Sequence, residues 1–190
     1  MPQIAEKATI NGVEVQRMGQ TVKATQDNPH VAIFRFQAAN RSKTGGHDQS
    51  AIHRFYAAGQ VETGRTEPCL IEADGPPVLF GQDQAPNPAD DVLHALAACL
   101  TTSLVCHAAA RDIRVHSVES RPEGDLDLRG VLGVSDSIRP VWQQVRVHVV
   151  VEADASAEEL HGLTTFSPVS DIVSRPVPVE ITIETTTPTV

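Results

Sequence analysis

Between Asn87 and Arg111 the sequence reads NPADDVLHALAACLTTSLVCHAAAR, and the 19 residues from Val92 to Ala110 carry no formal charge. Ala and Leu dominate the run, and both are strong helix formers. Its start is marked. Asn87 is a good N-cap, Pro88 fits the first helical position, and Asp90 stands where a capping-box acid reaches back, with Asp91 beside it. Arg111 marks the last turn. A helix of about 24 residues would be about 36 Å long and apolar nearly all round, so it must be buried or lie in a membrane. The length formally allows a membrane span. Against that, His94, Thr101, Thr102, Ser103 and His107 interrupt the run, and much of the rest is Ala. The expectation is the core helix of a soluble protein, wrapped by sheet or by a second subunit.

Charge narrows the partners. Lys and Arg total 15 against 24 Asp and Glu, a net −9 with His neutral. That disfavours nucleic acid and an anionic membrane surface, and with aromatics at 4% there is little for stacking single-stranded bases. The three cysteines are Cys69, Cys99 and Cys106. An odd count, behind an opening MPQIAEKA without a basic-plus-apolar leader, reads as reduced thiols in the cytoplasm. There is no CxxC, and neither the cysteines nor His47, His53, His116, His148 and His161 show metal spacing. No metal or cofactor is expected. The length suits one domain, 1–190, with residues 1–30 as an N-terminal extension or hairpin.

Read in order, residues 7–17 hold a hairpin signal at Asn11-Gly12. Residues 18–30 are polar and suggest a linker or irregular strand. Val31–Ala38 and Ala51–Ala58 have strand composition, with a turn-rich loop over Asn40–Gln49. Thr66–Phe80 has room for one or two short strands broken at Gly75-Pro76-Pro77. After the long helix, Val115–Arg129 alternates as a strand bent near Pro122, and Gly130–Pro140 is a loop. Gln143–Glu152 is the clearest strand, with Val145, Val147, Val149 and Val151 in alternation. Ser156 to Glu159 is a capping box opening a second helix that ends near Thr165. Ser167-Pro168 opens a third to about Ser174, and Pro178–Thr185 closes as a strand. The class is α+β.

Cys99 sits in the middle of the long helix. It reads either as a small core residue or as a reactive thiol, and the second needs a cation brought close. It stands about 18 Å beyond the helix start, out of reach of the dipole. Cys106 lies on nearly the same face, but a rise of about 10.5 Å rules out a bridge within the helix. Cys69 could approach Cys99 only through tertiary structure. His94 and His107 do not share the face of Cys99 and read as interior or interface polar groups.

The pattern NPADDVLHALAAC, followed by a strand-rich segment and FSPVSDIVSRPVPVEITIE, resembles the OsmC/Ohr family of osmotically induced and organic-hydroperoxide-resistance proteins. The resemblance covers residues 75–187 well and the N-terminal strands loosely. It implies an α+β OsmC-like fold with strands wrapped around a long central helix in an intertwined homodimer. It also implies thiol-based reduction of organic hydroperoxides, with a peroxidatic Cys on the central helix and a resolving Cys opening a later short helix. An Arg from the N-terminal strands and an acid at the central helix start hold the thiol. Carried over, Cys99 matches the peroxidatic position. The resolving position is Ser167, which cannot form a disulfide, and the acid position ten residues before the Cys is Ala89. Asp90 is the neighbouring acid, and Arg41 and Arg35 are candidates for the activating Arg. Two expectations follow. One is a one-Cys peroxidase whose sulfenic acid is resolved by Cys69 or an external thiol. The other is a non-catalytic OsmC-fold dimer binding a small hydrophobic ligand near Cys99.

Overall fold

The Asn11-Gly12 dipeptide has both residues in the left-handed region, φ +54° and +77°, the geometry a two-residue hairpin turn requires. The computed structural model describes residues 9–57, 60–62 and 65–186, so Lys7 and Ala8 of the expected hairpin lie outside the described residues, as does the rest of the opening MPQIAEKA. The turn joins β1 (Thr9–Ile10) to β2 (Val13–Glu14). Its Asn11 side chain donates to the Ile113 carbonyl at 3.0 Å and accepts from the Val115 N–H at 2.9 Å. That pins the N-terminus to a segment a hundred residues away.

Residues 18–30 correct the sequence reading. They are not linker or strand. Helix α1 (Val15–Asp27) occupies them, followed by a single 3-10 turn at Pro29–Ala32. Val15, Met18 and Val22 stand at helical spacing, and the surrounding polar residues hide that stripe. The expected strand Val31–Ala38 shrinks to β3 (Arg35–Phe36). The expected loop Asn40–Gln49 is instead strand, turn and strand. Strand β4 (Ala39–Thr44) and strand β5 (His47–Ile52) meet at Gly45-Gly46, with Gly45 at φ +56°. The polar residues there satisfy one another across strands rather than marking a loop, since Asn40 Nδ2 donates to Asp48 Oδ1 at 2.6 Å and to Ser50 Oγ at 3.0 Å. Next come β6 (Phe55–Ala57), β7 (Gln60–Glu62) and β8 (Cys69–Ala73). They form two three-stranded antiparallel sheets, ordered β3-β6-β7 and β4-β5-β8. Ala58 of the expected strand Ala51–Ala58 lies outside the described residues.

The long helix is α2 (Pro88–Ala109). Its capping box forms as read: Asn87 Oδ1 accepts from the N–H groups of Ala89 and Asp90 at 2.8 and 3.3 Å, and Asp90 accepts from the Asn87 N–H at 3.2 Å. Leu96, Leu100, Leu104 and Ala108 recur every fourth residue and form its buried stripe. By length and composition α2 could cross a membrane. In the fold its stripe packs against the elements that follow it.

These are β9 (Val115–Leu126), the single turn α3 (Leu128–Val131), β10 (Trp142–Ala153), α4 (Ala157–Leu163) and α5 (Pro168–Ser174). Strands β9 and β10 pair as one long antiparallel hairpin, and the register runs unbroken through Pro122 and Val147. Irregularities in the register fall at the hairpin ends and not at Pro122. The core gathers Leu104, Ala108, Leu160 and Leu163, with Val115, Val118, Val151 and Ala153 packed on them. The expected final strand, Pro178–Thr185, forms no strand or helix, with no strand beside it among the described residues, and Val179, Ile181 and Ile183 are 78%, 79% and 82% exposed. The pattern for a strand is present; a neighbour to pair with is not. The class is α+β, as expected.

Candidate active site

Cys99 lies beside the buried stripe of α2, three residues past Leu96 and one before Leu100. It is half-buried, as is Cys106 one face-repeat later, while Ala98 and Thr102 between them are exposed. With Ala95 and Ser103 they make a flank of small side chains, partly exposed, that carries the thiol. All three cysteines are free thiols. Cys69 opens the edge strand β8, opposite Ile52, and is exposed.

The partners expected for Cys99 occupy other places. Asp90 closes the capping box, about 13.5 Å along the axis from Cys99. Arg35 lies with its guanidinium carbon 5.9 Å above the ring of Tyr56 in the β3-β6-β7 sheet. Arg41 belongs to the other sheet, on β4 opposite Gln49, exposed and without a hydrogen-bond or ion-pair partner among the described residues. No hydrogen bond joins Cys99 to Arg35, Arg41, Asp90 or Cys69 among the described residues. Ser167, at the resolving position, is 2% exposed, and its Oγ accepts from the Ser170 N–H at 3.2 Å as the N-cap of α5. Its hydroxyl is committed to structure.

Several groups near these elements escaped the sequence reading. Asp74, 1% exposed, directly follows β8 and accepts N–H bonds from Gly75 at 2.8 Å, Gln82 at 3.0 Å and Gln84 at 3.1 Å. The Gln84 N–H above all, with those of Gly75 and Gln82, holds its carboxyl below the usual range. Asp74 thereby ties the loop that delivers the chain to the α2 cap. Glu72, two residues earlier, is gripped by Lys43, by His47 at 3.1 Å and by Gln49 at 2.8 Å, and those bonds, Lys43 first, bring its carboxyl down to about 2. At the other end of α2, His107 stacks on Phe166 with ring centroids 3.9 Å apart, and Arg111 stands 5.6 Å from the same ring. Burial, then the Arg111 charge, lowers the His107 pKa. An apolar groove of about 580 Å³ runs between α2, β10 and α4, lined by Leu104, Val147, Val149, Val151 and Leu160. Cys99 does not line it. Among the described residues no three His, Cys, Asp or Glu side chains are grouped to hold a metal.

A family model described as OsmC-like protein matches residues 81–182, from just before the α2 cap into the C-terminal tail. Among solved structures, an OsmC-like protein from Mycoplasma pneumoniae is 12% identical, with 75% of this chain and 89% of that one covered and a TM-score of 0.53. An organic hydroperoxide resistance protein OsmC from Legionella pneumophila is 15% identical over 74% of this chain and 90% of that one, TM-score 0.51. An OsmC-like protein from Vibrio cholerae is 13% identical over 77% and 95%, TM-score 0.50. At such identities the likeness is one of fold. No curated protein matches the chain.

Proposed function

The chain belongs to the OsmC-like family, and from that premise we propose that it reduces organic hydroperoxides with Cys99 as its single redox cysteine. The observation that carries the reading is the position of Cys99: on the central helix, inside the matched interval, on a partly exposed flank of small residues. The Cys99 thiolate attacks the outer oxygen of a hydroperoxide. The O–O bond breaks, the sulfur becomes a sulfenic acid, and the remaining alkoxide leaves as an alcohol after taking a proton. Two electrons pass from sulfur to peroxide. An external thiol then attacks the sulfenic sulfur and releases water, and a second thiol frees Cys99 as a disulfide forms between the two. The external thiol is needed because Ser167 offers no sulfur and Cys106 is too far along the same helix. Arg41, the unpartnered cation on β4, is the group proposed to keep the thiolate charged; Arg35 is engaged with Tyr56. Cys69 is the internal alternative to the external thiol. The protein works as a homodimer in a reducing cytoplasm, the second copy covering the Cys99 flank.

The test is thiol counting after cumene hydroperoxide. The wild type is expected to lose one thiol per chain and to form a dimedone-reactive sulfenic acid. Cys99→Ser should lose both properties, and Cys106→Ser neither. Equal peroxide consumption by wild type and Cys99→Ser would sink the proposal. A second reading is favoured by the formed apolar groove away from Cys99 and by the buried, committed Ser167: an OsmC-fold protein that binds a small hydrophobic ligand without redox chemistry. It requires ligand affinity that Cys99→Ser leaves intact, and no sulfenic acid in the wild type.

A further inference from the structure

A thiolate needs a group to hold its charge, and the ionisable groups on the elements packed against α2 are engaged or turned elsewhere. Those elements are β9, α4, α5 and the 3-10 turn Thr164–Phe166. On β9, His116 faces Asp154, Glu119 pairs with Arg121, and Glu123 and Asp125 share Arg146 of β10. On α4, Glu159 closes the Ser156 cap, Glu158 is exposed, and His161 lines the apolar groove that Cys99 does not line. Asp171 of α5 pairs with Arg175. On α2 itself Asp90 and Asp91 stand in the first turn, His94 is exposed, and His107 stacks on Phe166. No hydrogen bond or ion pair reaches Cys99 among the described residues.

What remains is a neutral donor on the same helix. Residues three and four apart are neighbours on a helix surface, so Ala95, Leu96, Thr102 and Ser103 stand one turn from Cys99. Of these only Thr102 and Ser103 carry a polar side-chain atom. Ser103 lies about 40° round the axis from Cys99 and about 6 Å along it. Helical side chains lean toward the N-terminus, which tilts the Ser103 hydroxyl back toward the turn of Cys99. Ser103 is half-buried, as Cys99 is, while Thr102 is exposed and its hydroxyl meets water. A hydroxyl on a helical turn can bond back to a carbonyl three or four residues earlier. Thr21, Thr25, Thr164 and Thr165 do so. Ser103 does not, and its hydroxyl makes no hydrogen bond among the described residues. Half-buried, unspent and without the second Cβ substituent that stiffens Thr, it is free to turn onto the sulfur.

We propose that Ser103 donates its hydroxyl hydrogen to the Cys99 sulfur when that sulfur is a thiolate. A hydrogen bond made to the charged form favours that form, so Ser103 enlarges the reactive share of Cys99 near neutral pH. No atom is transferred, and the proton stays on Ser103. The inference rests on the reading of Cys99 as the redox cysteine and adds a second residue to that site.

The test uses the full chain with Cys69→Ser and Cys106→Ser, so that Cys99 is the one thiol, and follows its alkylation by iodoacetamide across the pH range. The rate rises with the thiolate, and its midpoint reads the ionisation of Cys99. Ser103→Ala is expected to raise that midpoint by about half to one pH unit. Ser103→Thr, which keeps the hydroxyl, should stay near the parent, and Thr102→Ala should leave the midpoint in place. Ala is the better helix former, so Ser103→Ala keeps its helix, which circular dichroism checks. With cumene hydroperoxide, Ser103→Ala should form sulfenic acid about 3- to 10-fold more slowly well below the midpoint and converge on the parent rate above it. A merely structural loss would slow the reaction at every pH. A midpoint unmoved by Ser103→Ala overturns the proposal, as does one that Ser103→Thr fails to restore or that Thr102→Ala raises as far. The alkylation needs no peroxide, so the two ideas fail separately. A raised midpoint in a protein that consumes no peroxide sinks the functional reading and keeps the Ser103 bond, and peroxide consumption with an unmoved midpoint sinks the bond alone.

Discussion

Asp74 remains charged while almost out of solvent because three backbone N–H groups point at it. An amide in its place would set an NH2 against at least one of those donors, leaving buried polar groups unsatisfied. Asp74→Asn is therefore expected to lower Tm by several degrees at pH 7. The folded pKa is depressed, so the stabilisation is present above the unfolded carboxyl value of about 3.9 and is lost as pH falls through the folded value. The difference between wild type and Asp74→Asn should narrow in melts below about pH 4. A constant difference across that range would refute the charged account. His107 adds to the acid sensitivity in a higher pH window. Burial and Arg111 depress its pKa, so the unfolded chain takes up the proton first as pH falls below about 6.5, and stability declines there. His107→Phe keeps a ring against Phe166 and should remove that part of the decline between pH 7.5 and 5.5 in denaturant titrations. At this scale the sequence was legible where partners are local: Asn87, Asp90, Ser156 and Glu159 cap as read. Asp74 and Glu72 were not, because all their partners but Gly75 stand 8 to 29 residues away and only the folded turns bring them in.

The elements that could be read were those whose own period exceeds their noise. Helix α2 and strand β10 announce themselves, and α2 ends within two residues of the expectation. Helix α1 was missed because a thin apolar stripe in polar sequence looks like linker, and the β4-β5 hairpin because its polar residues pair across the sheet. The tail shows the converse, a strand pattern without a strand. Two substitutions separate these cases. Leu104, 3% exposed at the centre of the core, should cost about 2–5 kcal/mol as Leu104→Ala, measured by urea unfolding at fixed protein concentration. Ile181→Asp, at a side chain 79% exposed, should change the stability of the single chain by no more than about 0.5 kcal/mol. It should nevertheless weaken self-association, because the open edge of β10 is neutral and valine-rich and lies along the apolar groove. Equal association of wild type and Ile181→Asp would leave the tail as surface.

A whole chain of this shape does not bury what its sequence offers. Phe36, Phe80, Val179, Ile181 and Ile183 are each at least 76% exposed, while the fully buried core is a short stretch of α2 with α4. Apolar area left in water is the driving force for a second copy. Opposing it is the net −9 of each chain, a repulsion spread over the surface and screened within about 8 Å at physiological salt. The burial acts at contact, where screening does not reach, so association should win. Folding is then coupled to concentration, because whatever binds the native state alone stabilises it. Each tenfold rise in protein concentration adds up to about 1.4 kcal/mol per dimer, which for chains of this length corresponds to a Tm higher by roughly 2–4 °C per kcal/mol in each chain. Melts over a hundredfold range of concentration should therefore climb by a few degrees at each decade. A Tm that stays flat over that range would mean that the single chain is the stable unit, and that its exposed tail and aromatic residues are tolerated without a partner.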